Sequence, residues 1–400
     1  MSRTDLRCMT RALALARRGA GRVAPNPLVG AVVVSNGHIV GEGYHARFGG
    51  PHAEVVALRR AGRRARRGTL YVTLEPCNHQ GHTPPCTEAI LRAGVREVVC
   101  AMRDPHPLVN GGGLRRLRQA GVRVRVGLLA AEARHMNRAF LAALTTRRPH
   151  VTLKMAQTLD GKIATVTRQS RWITGPAARH IVHQLRRGAD AILVGIETAL
   201  ADDPRLGIRR DGRPTSADPI KVIVDDRLRL PLRAQVVKHA KHARVIVATT
   251  TRNHTKHRRL ARQGVTVLVV PSRRGRVDLR ALCRVLVTRG VQHLLIEGGG
   301  EVAASALADR LVDHLVFFIS PKIVGGKYAP TAVGGVGILR LDRAIRVRRQ
   351  TVRQVGEDLL IEGDVVYPGK RVNSAWGAER HPRTVTKRRT TIHERRDGRP

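Results

Sequence analysis

Four residues between positions 52 and 86 constrain this chain most: His52-Ala53-Glu54, then Pro76-Cys77, then Cys86. One imidazole and two thiolates can share a single metal ion only if three separate segments converge on one point. The surrounding pattern offers such segments. Pro51 precedes a helical stretch over 52–60, which puts His52 and Glu54 in one first turn, aimed into the same cleft. Residues 69–74 are β-branched and apolar and read as a strand, and Pro76 turns the chain into Cys77. Residues 87–93 read as a second helix, with Cys86 at its mouth, where amide dipoles stabilise a thiolate.

Three protein ligands leave one metal position open. A bound Zn²⁺ lowers the pKa of water toward neutrality, which neutral water needs before it can displace an exocyclic amine. Glu54 is then not a ligand: it moves a proton from the attacking water to the ring nitrogen and the leaving ammonia. A purely structural zinc would want a fourth ligand, which His79 or His82 supplies on spacing alone, and would leave Glu54 idle. An isolated His or Cys is more often a packing residue; the joint pattern is not.

Four hundred residues suggest two or three domains. Residues 5–18 read as a helix that Pro25-Asn26-Pro27 ends. Strands at 29–34 and 38–43 flank the tight-turn pair Asn36-Gly37. Further strands fall at 97–102 and 122–126, with helices at 113–120 and 130–143. Residues 145–149 resemble a linker. Beyond it, strands at 151–155, 191–194, 220–224, 244–248, 265–270, 293–296 and 314–319 alternate with helices at 175–187, 278–289 and 301–308. Both halves are therefore α/β. The expected division is a first domain over 1–145, a linker over 146–150, a second domain over 151–367 and a basic, disordered tail over 368–400. That tail holds ten Lys/Arg against three acidic residues.

The net charge of +43 attracts polyanions, but the basic residues are spread through every region and aromatics are only 2%. No specific nucleic-acid partner is expected. Five cysteines without a disulfide rhythm fit a reducing compartment, and no apolar run reaches the roughly 20 residues needed to cross a bilayer. The expectation is a cytoplasmic enzyme with no membrane partner.

In the second domain, Trp172-Ile173-Thr174-Gly175-Pro176 reads as a helix start capped by Thr174. Gly298-Gly299-Gly300 lies between a strand and a helix, where backbone amides can cradle phosphate, although it is equally a tight turn. It is not Gly-x-Gly-x-x-Gly, so it does not license a Rossmann reading.

The zinc motif resembles the cytidine deaminase-like enzymes. Nucleoside and transfer-RNA deaminases typically have two residues between the cysteines; this chain has eight, Asn78 to Pro85. With Pro25-Asn26-Pro27-Leu28-Val29-Gly30, Gly41-Glu42-Gly43-Tyr44-His45 and Lys154-Met155-Ala156-Gln157-Thr158-Leu159-Asp160-Gly161, the chain resembles the bifunctional deaminase/reductase family of riboflavin biosynthesis over about residues 4–367. That resemblance implies an N-terminal cytidine deaminase-like three-layer domain and a C-terminal dihydrofolate reductase-like domain. It implies deamination of a phosphorylated pyrimidine ribotide, then NADPH-dependent reduction of its ribosyl group, in a homodimer or larger homo-oligomer. Asn26 would bind the pyrimidine, with His45, His79 and Thr83 as further contacts. Ala156, Trp172, Thr198 and Asp202 would line the cofactor cleft. Gly299, Gly300, Glu301, Val302, Ala303, Ala304 and Ser305 would form its phosphate turn. Ser170, Arg186, Leu206, Arg209 and Glu297 would hold the substrate, the two arginines suiting its phosphate. Lys154 and Asp202 are candidate polar participants in the reduction. The chain departs from the family's habit at Thr158, where Ser is usual, at His82, where Arg is common, and at His106, where Asn is common. Two alternatives stay open: a deaminase with an inactive reductase domain, and a nucleic-acid deaminase.

Overall fold

The computed structural model describes residues 2–81, 83–208 and 218–369. The first half runs α1 (Arg3–Ala16), β1 (Gly30–Ser35), β2 (His38–Tyr44), α2 (Ala53–Ala61), β3 (Thr69–Val72), α3 (Cys86–Arg92), β4 (Glu97–Cys100), α4 (Gly112–Gln119), β5 (Arg123–Val126), α5 (Ala130–Met136) and α6 (Arg138–Thr146). Its strands form one sheet in the order β2-β1-β3-β4-β5. The β1–β2 hairpin and the β1–β3 pair are antiparallel; β3, β4 and β5 are parallel. Period-two alternation sends neighbouring residues to opposite faces. Val32 and Val34 pack with Met9 and Leu13 of α1 and Phe140 of α6. Ala31 and Val33 pack with Ala57 of α2, Ile90 of α3 and Leu114 of α4. The result is three layers, helices on both faces of the sheet.

The second half runs β6 (His150–Thr158), α7 (Pro176–Arg187), β7 (Ala191–Gly195), α8 (Ile196–Asp202), β8 (Ile220–Val224), α9 (Gln235–Lys238), β9 (Val245–Thr249), α10 (His254–Arg262), β10 (Val265–Val269), a small hairpin of β11 (Ser272–Arg273) and β12 (Arg276–Val277), α11 (Leu279–Thr288), β13 (His293–Glu297), α12 (Gly300–Ala308), β14 (His314–Ser320), β15 (Arg346–Val355) and β16 (Asp358–Val366). Nine of its strands form a sheet in the order β10-β9-β8-β7-β13-β6-β14-β16-β15. The strands from β10 to β14 are parallel, and β16 and β15 add an antiparallel edge. Leu193 and Leu294 enter the core on one face, Ile192 and Leu295 that on the other.

Several expectations change. The helix read over 130–143 is two helices broken at Asn137, whose side chain accepts from Leu28 N–H (2.8 Å) and donates to Leu28 O (3.0 Å). Thr145 and Thr146 finish α6, and Arg148 is no loose linker: its guanidinium forks onto Asp313 at 2.6 Å. Thr174 does not cap α7. Gly175 is the N-cap residue and its N–H donates to Asp358 at 2.8 Å. Helices α8 to α10 and the β15–β16 hairpin were not expected from the sequence; β15 is arginine-rich and mostly exposed and carries no apolar period. The expected tail lies outside the described residues from position 370 onward.

Candidate active sites

His52 is the N-cap residue of α2, with Glu54 in the first turn; Cys77 follows β3 through Glu75-Pro76; Cys86 opens α3. His52 Nδ1 lies 3.1 Å from Cys86 Sγ and 3.6 Å from Cys77 Sγ. All three ligand atoms lie within 4.8 Å of one another. Metal bonds of roughly 2.0–2.3 Å at tetrahedral angles imply separations of about 3.5 Å, so the three atoms fit one ion. The sulfur-rich set with one imidazole suits zinc among the divalent metals. His79 is not in this group, and His82 lies outside the described residues.

Charge is arranged around that point. A hydrogen bond from the Cys86 thiol, helped by His52, pulls Cys77 down to about 4 against its burial, so it is a thiolate. The same contact, with burial, pushes Cys86 up. Hydrogen bonding to Cys77 raises His52. Glu54 is buried, and burial together with the Cys77 charge pushes it up to about 7. A carboxyl near neutrality can both accept and return a proton at working pH.

Asn26 joins this cluster through His45. Its Nδ2 lies 3.0 Å from His45 Nε2, and His45 Nδ1 lies 3.1 Å from Pro51 O. Burial lowers the His45 pKa, so the ring is neutral. One tautomer satisfies both contacts: Nδ1–H donates to Pro51 O, and Nε2 accepts from Asn26. The His45 ring stands edge-on to that of His52, centroids 5.4 Å apart. Thr83 Oγ1 is 3.4 Å from His52 Nε2. His106 serves a local turn: its N–H donates to Asp104 (2.9 Å) and its Nδ1 accepts from Leu108 N–H (3.3 Å).

Sequence reasoning missed Glu75. Its carboxylate accepts from four backbone amides, those of Asp104, Gly111, Gly113 and Leu114, at 3.1–3.3 Å. The sequence shows an acidic residue two positions before a candidate ligand, but nothing local shows that it is buried or where its partners lie.

The second site is a cleft of about 1630 Å³ beside the carboxyl ends of β7, β8 and β13, where open α/β sheets bind ligands. It exceeds the roughly 300–1,000 Å³ that one small molecule needs. Ala156, Ser170, Trp172, Arg186, Thr198, Asp202, Leu206, Glu297, Gly299, Gly300, Glu301, Val302 and Ser305 all line it. Two expected members do not. Ala303 points into the core and its N–H donates to Gly299 O. Ala304 is turned toward Gly335. Arg209 lies outside the described residues.

The triple glycine has a steric reason. Gly298 and Gly299 have φ of +96° and +84°, and a Cβ on Gly300 would stand 2.3 Å from Thr331 O. The first amides of α12 have no acceptor inside the helix and are suited to an anion. Glu301 turns aside, accepting from Gly335 N–H (3.1 Å) and Arg276 (2.8 Å).

Arg186 forks onto Glu297 at 2.8 and 2.7 Å, both side chains largely buried. Two of its donors are therefore already committed. Burial lowers Lys154 beside them, with the Glu297 charge opposing. Ser170 Oγ donates to Asp202 (2.7 Å), whose carbonyl also accepts from Arg171. Trp172 is 64% exposed, with the Arg179 guanidinium 4.4 Å from its ring centre. Thr158 is spent on structure: its hydroxyl donates to Asp160 (2.5 Å) and accepts from Lys162 N–H (2.9 Å). Arg179 and His183 also face the cleft; their i, i+4, i+7 spacing with Arg186 was the missed signal.

Comparison with known proteins agrees with both halves. Residues 149–361 match the family model described as the RibD C-terminal domain, and residues 2–102 that of the cytidine and deoxycytidylate deaminase zinc-binding region. The chain is 45% identical over 357 residues to riboflavin biosynthesis protein RibD of Aquifex aeolicus, covering 89% of this chain and 97% of the relative. It is 39% identical over 363 residues to the Escherichia coli K12 protein, covering 88% and 97%. The solved structure of Acinetobacter baumannii RibD superposes with a TM-score of 0.82 at 36% identity, covering 91% of this chain and 99% of that one. A Thermotoga maritima structure, described as a diaminohydroxyphosphoribosylaminopyrimidine deaminase/5-amino-6-(5-phosphoribosylamino)uracil reductase, gives 0.79 at 36%, covering 90% and 98%. The architecture is thus a zinc-deaminase-like domain followed by a dihydrofolate reductase-like domain, and among the described residues no helix is long and apolar enough to cross a membrane. With relatives this similar along nearly their whole length, the chain belongs to the RibD family of riboflavin biosynthesis, bifunctional enzymes that join a deaminase to a reductase.

Proposed function

We propose that residues 1–145 bind Zn²⁺ through His52, Cys77 and Cys86 and remove the 2-amino group of 2,5-diamino-6-(5-phosphoribosylamino)-pyrimidin-4(3H)-one. We further propose that residues 151–367 use NADPH to reduce the ribosyl group of the product, 5-amino-6-(5-phosphoribosylamino)uracil, to ribityl. The observation that carries this reading is the meeting of three ligand atoms within 4.8 Å beside buried Glu54. The description of the Thermotoga maritima relative supports the substrate.

When bound, the ion supplies an acidified water. The chain's own residues do the rest. Asn26, oriented by His45, presents its Oδ1 to the pyrimidine. Glu54 carries the proton from water to ring nitrogen and leaving amine. In the second cleft, the first turn of α12 receives the diphosphate of the dinucleotide, and Ala156, Trp172, Thr198 and Asp202 hold its nicotinamide half. Ser170, Leu206, Glu297 and Arg186 hold the ribotide, with Arg209 assigned to its phosphate. Lys154, a buried cation beside Glu297, is the residue we assign as proton donor in the reduction. The apolar side chains of Ile323, Val336, Leu339 and Leu341, each 76–98% exposed, favour a homo-oligomer. The five free cysteines favour a cytoplasmic setting.

The test is a zinc-loaded assay with the diaminopyrimidinone ribotide, with and without NADPH, following ammonia release and NADPH oxidation separately. Ammonia in both, with oxidation only when substrate is present, is the expected result. Ammonia without oxidation means a deaminase with an inactive reductase domain. No ammonia from zinc-replete protein overturns the substrate, and RNA is then the next candidate.

A further inference from the structure

The loop that carries Asn26 is short of its own anchors. Pro25 and Pro27 have no N–H to donate, so the backbone on either side of Asn26 is held mainly through carbonyls. From within the first domain, Asn26 N–H donates to Val23 O (2.8 Å) and Asn137 clamps Leu28. The Asn26 side chain meets His45 (3.0 Å), and further backbone support comes from the other domain. Gln292 Nε2 donates to Pro25 O at 2.5 Å. At the loop's entrance, Gly21 has a φ of +73°, and a Cβ there would stand 2.2 Å from Arg187 O.

Both donors of support are rigidly based. Gln292 N–H and His293 N–H share one carboxylate oxygen of Asp190, at 3.0 and 2.9 Å, and Gln292 O accepts from His150 N–H at 2.7 Å. Arg187 is the last residue of α7, whose preceding residue Arg186 is forked onto Glu297. Gln292 therefore immediately precedes a central strand, with its backbone tied to Asp190 and His150. From this fixed backbone the side-chain amide of Gln292 reaches across to Pro25 O.

We propose that Gln292, seated in the reductase domain, is a positioning residue for deamination: through Pro25 O, and with the Gly21–Arg187 contact, it sets the height of Asn26 over the pyrimidine. The inference rests on the reading of Asn26 as the pyrimidine contact. The deaminase site is then incomplete without the second domain, although every group that touches substrate or metal comes from the first.

The test uses the full-length zinc-loaded protein. Gln292→Ala removes one hydrogen bond, and the KM for ammonia release should rise about fivefold with kcat within about twofold. Reduction of separately supplied deaminated product should be unchanged. Gly21→Val should give the same split through a steric push. Asn26→Ala should raise KM more, and adding Gln292→Ala to it should add nothing. Unchanged KM in Gln292→Ala beside an impaired Asn26→Ala overturns the positioning role alone. Normal KM in Asn26→Ala overturns the reading of the pyrimidine site instead. Equal losses in both activities of Gln292→Ala, with a lowered Tm, also overturn the proposal, because a merely structural residue behaves that way.

Discussion

Glu54 shows how one side chain is given a task by its surroundings. Buried at the start of α2 beside the Cys77 thiolate, it is pushed up to about 7. A carboxylate in water would be a poor proton carrier near neutrality; this one is matched to it. Glu54→Gln keeps the shape and all three ligand atoms but cannot move a proton. Its kcat for ammonia release should fall by about 10²–10⁴. Zinc content, measured by elemental analysis, should stay near that of the parent, and NADPH-dependent reduction of the deaminated product should persist. Zinc lost together with activity would mean that Glu54 serves the metal and not the proton.

At the scale of elements, single carboxylates tie separate segments into a site. Glu75 gathers the loop around Asp104 and the N-terminus of α4 behind the Cys77 turn. An amide offers one acceptor oxygen where the carboxylate offers two, so Glu75→Gln sets an NH₂ against backbone donors. It should cost about 1–3 kcal/mol of stability, read by urea denaturation. Zinc should also dissociate faster from it, because the cysteine loop is less well held. In the second domain, Arg186→Met would leave Glu297 buried beside Lys154 without its fork. A loss of about 3–5 kcal/mol is expected, with reduction abolished. Ammonia release at a temperature where the variant is still folded should remain.

At the scale of the whole molecule, buried histidines gather where α6 meets the second sheet. Burial pushes His150 well below the ordinary histidine range and His293 down to about 4, and Arg138 of α6 adds repulsion to both. His293 is held neutral between Gly188 O (2.8 Å) and Thr152 Oγ1 (2.9 Å). The folded state thus takes up these protons at lower pH than the unfolded chain does, for which 6.5 is the ordinary value. Stability from these groups is complete above that value and is lost as pH falls from about 6.5 toward 4. Calorimetry should show Tm falling across that window, and His293→Gln should flatten the fall. A Tm in the parent that is level down to pH 4.5 would contradict this account.

Much of the first site was legible because its information is local. Three candidate ligands, a candidate shuttle two residues from one of them, and a helix start marked by Pro51 all lie in one stretch. Element order was legible too, since buried strands such as residues 220–224 are continuous apolar runs. The sequence by itself therefore determined the candidate metal-ligand set, the α/β class and, through resemblance, the family. It did not reveal the break at Asn137, the hub at Glu75, the fork of Arg186 on Glu297 or the reach of Gln292 to Pro25. Each of these pairs residues between 29 and 267 positions apart. No period or propensity encodes such a partner, because it is selected by sheet order and helix packing once the chain has folded; only the tertiary structure decided them.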